Sequence, residues 1–195
     1  MTLNLAALLQ IARLSVERPR DGARQIMNLN LSAGEAGTAL ALMAVVSTLM
    51  AEIGNALSPY PTTEPMIEAV FASPFGLAVL QFTVLGSAAA LMQLFGRWAG
   101  GKGHFAEALV LVGWLQAILL LLQLVQLVVI LVVPPLVAPV GLFGLVLFGW
   151  LLTNFTAELH GFRSLAKVFF CILAALIGFS LVLAVLLILV FGIGA

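Results

Sequence analysis

The chain has 195 residues, 63% of them apolar and 8% charged, with a mean hydropathy of +1.22, whereas soluble globular domains carry about 25% charged residues. This excludes an ordinary soluble fold and makes lipid the expected solvent. Eight Lys and Arg against eight Asp and Glu give zero formal net charge, so nothing favours nucleic acid as a partner, and the single Cys171 excludes an intrachain disulfide and any CxxC metal or redox motif.

Residues 1–31 read as a cytoplasmic amino-terminal segment. They lack a basic stretch followed by a short apolar core and cleavage site, so no cleaved signal peptide is expected. The stretch 2–17 is too short and too interrupted by Asn4, Gln10 and Arg13 to span a bilayer. On a helix, Thr2, Gln10, Arg13 and Glu17 gather on one arc while Leu5, Leu8, Leu9, Ile11, Leu14 and Val16 fill much of the rest. The expectation is a helix lying in the cytoplasmic headgroup layer, with packing beneath the bundle as the alternative. Pro19 separates it from a second short segment that Asp21-Gly22 weakens.

About 20 mainly apolar residues cross the roughly 30 Å hydrocarbon layer. Five segments within residues 32–195 qualify, at 32–57, 74–97, 105–133, 139–160 and 164–191, which predicts an all-α polytopic bundle. Ser32 and Glu35 have capping-box spacing at the first start, and Ser73-Pro74 supplies a cap and a first-turn proline at the second. Pro134-Pro135 ends the third. Basic residues then orient the chain. Arg13, Arg18, Arg20 and Arg24 precede span one, Arg97 and Lys102 follow span two, and Arg163 and Lys167 follow span four. Residues 58–73, the 134–139 connection and the carboxyl tail hold none, and the first of these carries Glu64 and Glu68. Because Lys and Arg stay inside in short loops, the amino end is expected in the cytosol and the carboxyl end outside a bacterial-type cytoplasmic membrane.

The run Gly100-Gly101-Lys102-Gly103-His104-Phe105-Ala106-Glu107-Ala108-Leu109 resembles the Yip1 family pattern of paired glycines, a small or basic residue, an aromatic and a helix start. The Leu14…Pro19…Ile26 spacing, five spans with a cytosolic amino end and the basic turn after span four are also similar to that family. The resemblance covers nearly the whole chain. It implies a five-helix membrane fold, and in eukaryotic members an association with early secretory membranes and Rab-type GTPases. Those members carry a long cytosolic amino segment, whereas about thirty residues precede span one here, so the shorter prokaryotic branch is the better analogue and GTPase binding is not carried over. Many relatives have a proline early in span three, where this chain reads Gly113-Trp114-Leu115-Gln116.

Few residues invite chemistry. The run from Gly96 to Lys102 fits the first seven positions of the phosphate-loop pattern, but Gly103 cannot supply the hydroxyl needed at the eighth, and no strand precedes it. Arg97, Lys102, His104, Glu107, Glu158, His160 and Arg163 form a candidate cytoplasmic-side cluster. It reads as ion pairing, in which Glu158, at a helix end that disfavours a carboxylate, needs Arg163, Lys102 or His160 beside it. A divalent metal on the two histidines is the sharper alternative. Gln116, Gln123, Gln126 and Asn154 form a candidate intramembrane polar stripe, read as interhelical glue or, alternatively, as a transport pathway. Glu52 lies near the outer end of span one, leaving no carboxylate at the midplane. Gly86/Ala90 and Ala174/Gly178 are candidate close-packing pairs. No cofactor and no catalytic set are expected. The reading is a non-enzymatic protein engaging membrane lipids, and a protein partner or a second copy of itself, with a small transporter or channel as the alternative.

Overall fold

The computed structural model describes residues 4–57 and 73–191. These residues are all-α: α1 (Leu5–Glu17), α2 (Pro19–Met27), α3 (Ala33–Leu57), α4 (Pro74–Trp98), α5 (Phe105–Val132), a 3-10 turn (Pro134–Leu136), α6 (Val137–His160) and α7 (Leu165–Phe191). Helices α3 to α6 are each long and apolar enough to cross a bilayer, the fourth of these candidates including the 3-10 turn. Helix α7 has 27 residues, about 40 Å of helix, although its described apolar stretch Leu165–Gly178 is shorter than a span. Five long helices therefore make the bundle. The acidic connection at 58–72, the first three residues of the amino-terminal arc and the tail 192–195 lie outside the described residues.

Local chemistry sets the helix starts. The Ser32 N–H and hydroxyl both donate to Glu35 Oε2, at 2.8 and 2.7 Å, so the carboxylate closes the entry to α3. Ser73 Oγ accepts from the Gly76 N–H and Pro74 occupies the first position of α4, while Glu107 Oε2 accepts from the His104 N–H at 2.9 Å at the start of α5. Helix α6 begins at Val137, two residues before the position expected from Pro139. Pro139 falls in the first turn, where backbone N–H groups have no partner within the helix, so its missing donor costs nothing there.

Helix α5 is central, packing against α2, α3, α4 and α6, whereas α7 packs mainly along α6 among the described residues. Leu40, Leu111, Leu151 and Phe155, from α3, α5 and α6, are shut away from the surface. Between helices immersed in lipid the hydrophobic effect adds little, and close backbone approach must supply the attraction. Small residues provide it: Ala36 and Ala44 on α3, Ala89 on α4 and Ala108 on α5 are wholly enclosed. The expected Gly86/Ala90 and Ala174/Gly178 pairs do not serve this purpose. A side chain added at Gly86 or Gly178 would meet nothing within 4 Å, and Ala90 and Ala174 are exposed.

The amino-terminal helices are docked onto the bundle. Pro19 opens α2, Asp21 lies in its first turn where a carboxylate suits the helix dipole, and Gly22, Ala23 and Ile26 bury one face. Gly22 therefore does not mark weakness in this helix. It lets α1 cross so closely that a Cβ there would lie 2.6 Å from the Ser15 Cα, which no rotamer change could relieve. Ser15 is fully buried; its hydroxyl donates to the Ile11 carbonyl and accepts from the Trp114 indole N–H of α5 at 2.9 Å. Packing against the bundle thus holds Ile11, Ala12 and Ser15, while Leu5, Leu9 and Val16 stay exposed. Replacing Ser15 by Ala strips the indole N–H of its acceptor, with an expected cost of about 1–3 kcal/mol. Gly22→Val should push α1 off altogether. Both outcomes are checked by unfolding in mixed micelles together with limited proteolysis of residues 4–27; unchanged midpoints and cleavage would contradict this contact.

Candidate functional site

The charged and histidine candidates lie at the end of the bundle where α4 turns into α5 and α6 into α7. Helices α4 and α6 stop in the same way. The Gly101 N–H donates to the Gly96 carbonyl at 2.8 Å and the Gly100 N–H to the Arg97 carbonyl, with Gly100 at φ +86°. At α6 the Phe162 N–H donates to the Ala157 carbonyl and the Gly161 N–H to the Glu158 carbonyl, with Gly161 at φ +71°. Each is a Schellman ending, in which the left-handed residue favours glycine and the last carbonyls are satisfied without water.

Into the first turn, α6 inserts its final residue. His160 is 5% exposed, and its ring is held at both nitrogens: Nδ1 accepts from the Gly103 N–H at 3.2 Å, and Nε2 lies 3.0 Å from the Met92 carbonyl of α4. A carbonyl only accepts, so the proton belongs on Nε2 and the ring is neutral. Three glycines make the space. A Cβ at Gly96, Gly101 or Gly103 would collide with the His160 ring, and at Gly103 with Leu159 as well. The glycine run that mimics a phosphate loop is therefore a socket for an imidazole. Phe162 stacks on the His160 ring, with centroids 5.5 Å apart.

The helix end that carries His160 also receives α2. Arg24 directs Nη2 and Nε to the same Glu158 oxygen, at 2.7 and 3.0 Å, and Nη1 stands 3.6 Å from Asp21. Hydrogen bonding to Glu158, and then its charge, raise the Arg24 guanidinium above its ordinary value. Beside it, Arg20 Nη2 donates to the Phe162 carbonyl at 3.0 Å. Two cations of α2 thus cover the negative end of α6.

The candidate residues divide accordingly. Glu158 takes its cation from Arg24 and not from Arg163, Lys102 or His160. His160 joins Gly103 and Met92, and His104 serves at the α5 start with Glu107. Arg97, Lys102 and Arg163 are exposed and form no salt bridge among the described residues. With both ring nitrogens engaged, His160 offers no free lone pair, and no metal-type grouping of His, Cys, Asp and Glu occurs among the described residues. Gln116, Gln123 and Gln126 are half-buried on α5, with no side-chain hydrogen bond among the described residues. Thr83, Thr153, Asn154 and Thr156 bond carbonyls of their own helices, so these polar groups do not tie helices together. Sequence reading overlooked Arg20, Arg24 and the glycine socket. A glycine within a last helical turn, as at Gly96, is the signal that pointed there, since it costs about 1 kcal/mol against alanine unless something occupies the space.

Gly96→Ala offers a sign test. Better helix propensity would stabilise by about 1 kcal/mol, but overpacking against His160 should reverse this into a loss of about 1–3 kcal/mol. In a His160→Ala background the same change should become neutral or stabilising. Denaturation midpoints of the four variants in detergent decide it, and a loss of equal size in both backgrounds would contradict the socket. For the α2 contact, Arg24→Glu should accelerate proteolysis of residues 18–30, and the exchange Arg24→Glu with Glu158→Arg should restore protection.

No curated protein and no solved structure gives a significant match to this sequence. A family model does: the Yip1 domain matches residues 14–189, from the last part of α1 through nearly all of α7. That match takes in the glycine turn, the helix endings and all five long helices, and it makes the chain a member of the Yip1 family.

Proposed function

We propose that this Yip1-family protein spans a bacterial-type cytoplasmic membrane five times, with its amino end in the cytosol, and acts by binding a protein or lipid partner at its cytoplasmic face, without catalysis. The observation that carries the reading is the gathering of cations. All eight Lys and Arg lie on α1 and α2, in the segment joining them, or at the α4–α5 and α6–α7 connections. The docking of α2 across the end of α6 supports placing these segments on one side, since Arg24 meets Glu158 and Arg20 meets the Phe162 carbonyl. The retention of positive charge on the cytosolic side of short loops supports reading that side as cytosolic. Trp98, 75% exposed at the end of α4, suits the headgroup layer there.

The cations without a salt bridge among the described residues and the exposed Leu5, Leu9 and Val16 of α1 give this proposed face both basic and apolar groups. Such a surface fits an anionic bilayer or an acidic amphipathic partner. The one buried histidine has both ring nitrogens engaged by backbone groups and none left for a substrate, which supports a reading without catalysis.

Single-cysteine labelling in a Cys171→Ser background tests the topology: positions 30, 102 and 163 should react only after the cytosolic face is opened, and position 195 from outside. Removing residues 2–18 should leave the five long helices inserted and abolish cross-linking to the partner. Unchanged cross-linking and lipid co-purification would overturn the interaction reading.

A further inference from the structure

Between the start of α2 and the α6–α7 turn lies an open cleft of about 460 Å³, lined by Arg18, Arg20, Asp21, Asn154 and Arg163 among others. Its charges are unbalanced. Among the described residues none of the three arginines forms a salt bridge, and Asp21, the acid at the rim, stands 3.6 Å from Arg24. Arg20 uses one terminal nitrogen on the Phe162 carbonyl, while its Nε is buried without a hydrogen-bond partner among the described residues. An N–H of a cation left without an acceptor is unfavourable, so this guanidinium keeps hydrogen-bonding capacity that the chain itself does not use among the described residues. The start of α2 also opens beside this cleft and has no side-chain cap, so its positive end adds to the field of the arginines.

Guanidinium groups from two separate segments, an orphaned Nε and an uncapped helix start all favour an anion with several acceptor oxygens. A phosphate group satisfies planar forked donors better than a carboxylate of the chain can, because its oxygens face more than one direction. Asn154, 3% exposed in the wall of the cleft, is neutral and its amide nitrogen donates to the Trp150 carbonyl, so it brings no negative charge to the lining. Leu165, at the start of α7, supplies an apolar wall on the bundle side. Basic recesses beside membrane helices at the cytoplasmic face suit anionic headgroups.

We infer that the Arg18–Arg20–Arg163 cleft binds a phosphate group, as the headgroup of an anionic phospholipid or as a soluble phosphate ester. This deepens the cytoplasmic-face reading above and rests on it. Arg18 and Arg163 lie at the rim and Arg20 at the floor, so the rim residues can be changed without disturbing the Arg20 contact to α6.

The test uses the full chain, purified and placed in nanodiscs of phosphatidylcholine with and without phosphatidylglycerol, with retained lipid counted by native mass spectrometry. Wild type should keep phosphatidylglycerol, and Arg18→Gln with Arg163→Gln should lose it by about tenfold, as expected for one or two charge-assisted hydrogen bonds. Arg13→Gln is the control, since Arg13 pairs with Glu17 on the exposed side of α1 and should leave retention unchanged. Inorganic phosphate titrated in phosphatidylcholine discs distinguishes the sources: saturable binding lost in the double variant supports a soluble phosphate ligand, and retention of phosphatidylglycerol alone supports a lipid one. Neither kind of binding, or equal loss in Arg13→Gln, overturns the site. Thiol labelling of Arg163→Cys in cells separates this failure from that of the reading beneath it. Cytosolic reactivity with no phosphate binding overturns the cleft alone, whereas reactivity from outside overturns both.

Discussion

The imidazole of His160 fixes the geometry on which the basic end of this bundle depends. One nitrogen meets a backbone carbonyl of α4, the other a backbone N–H of the α4–α5 turn, and three glycines leave room for the ring and nothing larger. Backbone groups cannot be moved by a rotamer change, so this contact sets where α6 ends relative to two other helices. Glu158, two residues earlier, is thereby turned toward α2, and the Phe162 carbonyl, two residues later, toward Arg20. Docking of α2 then brings Gly22 beneath Ser15 and Ser15 beneath the Trp114 indole. Each step hands the next helix a defined surface.

Elsewhere the bundle meets the demand of lipid that backbone polar groups be satisfied internally, and its side chains follow the same economy. Hydroxyls of Thr38, Thr48, Thr83, Thr153 and Thr156 fold back onto carbonyls of their own helices, which satisfies them without committing a neighbour. Attraction between helices comes instead from alanines that let backbones approach, with Leu40, Leu111, Leu151 and Phe155 filling the space around them. Among the described residues, polar contacts between distant parts of the chain concentrate at one end, where they position segments lying outside the long helices. A protein built this way has a nearly featureless apolar girth and a specific basic face.

Much of the fold is legible in the sequence because lipid imposes a simple rule on it. Long apolar runs declare the five long helices, and short-range capping chemistry at Ser32–Glu35 and Ser73-Pro74 depends only on residues three apart, so it can be read without a fold. The role of the glycine run is not legible. Gly100 is there for its positive φ, but Gly96, Gly101 and Gly103 take ordinary backbone angles and are small because a ring from a residue 57 positions away from Gly103 must enter. Arg24 and Glu158 are separated by 134 positions, and no spacing rule links them. For α1, Ser15 together with Asn4 blurs the apolar face in the sequence, yet Ser15 is the residue that the Trp114 donor requires. Periodicity records that a face is mixed, and the partner that makes the mixture useful comes from another helix.

Direct observation of the His160 ring tests this account at its root. Nitrogen-15 NMR of histidine-labelled protein in detergent or nanodiscs, with His104→Gln used to assign the signals, reports tautomer and charge from the two ring shifts. At neutral pH the His160 ring should be neutral, with its proton on Nε2 and an acceptor-type shift at Nδ1, and Gly103→Ala should disturb both. A ring protonated on Nδ1, an imidazolium, or a pair of tautomers averaging as in free histidine would contradict the socket and the helix arrangement derived from it.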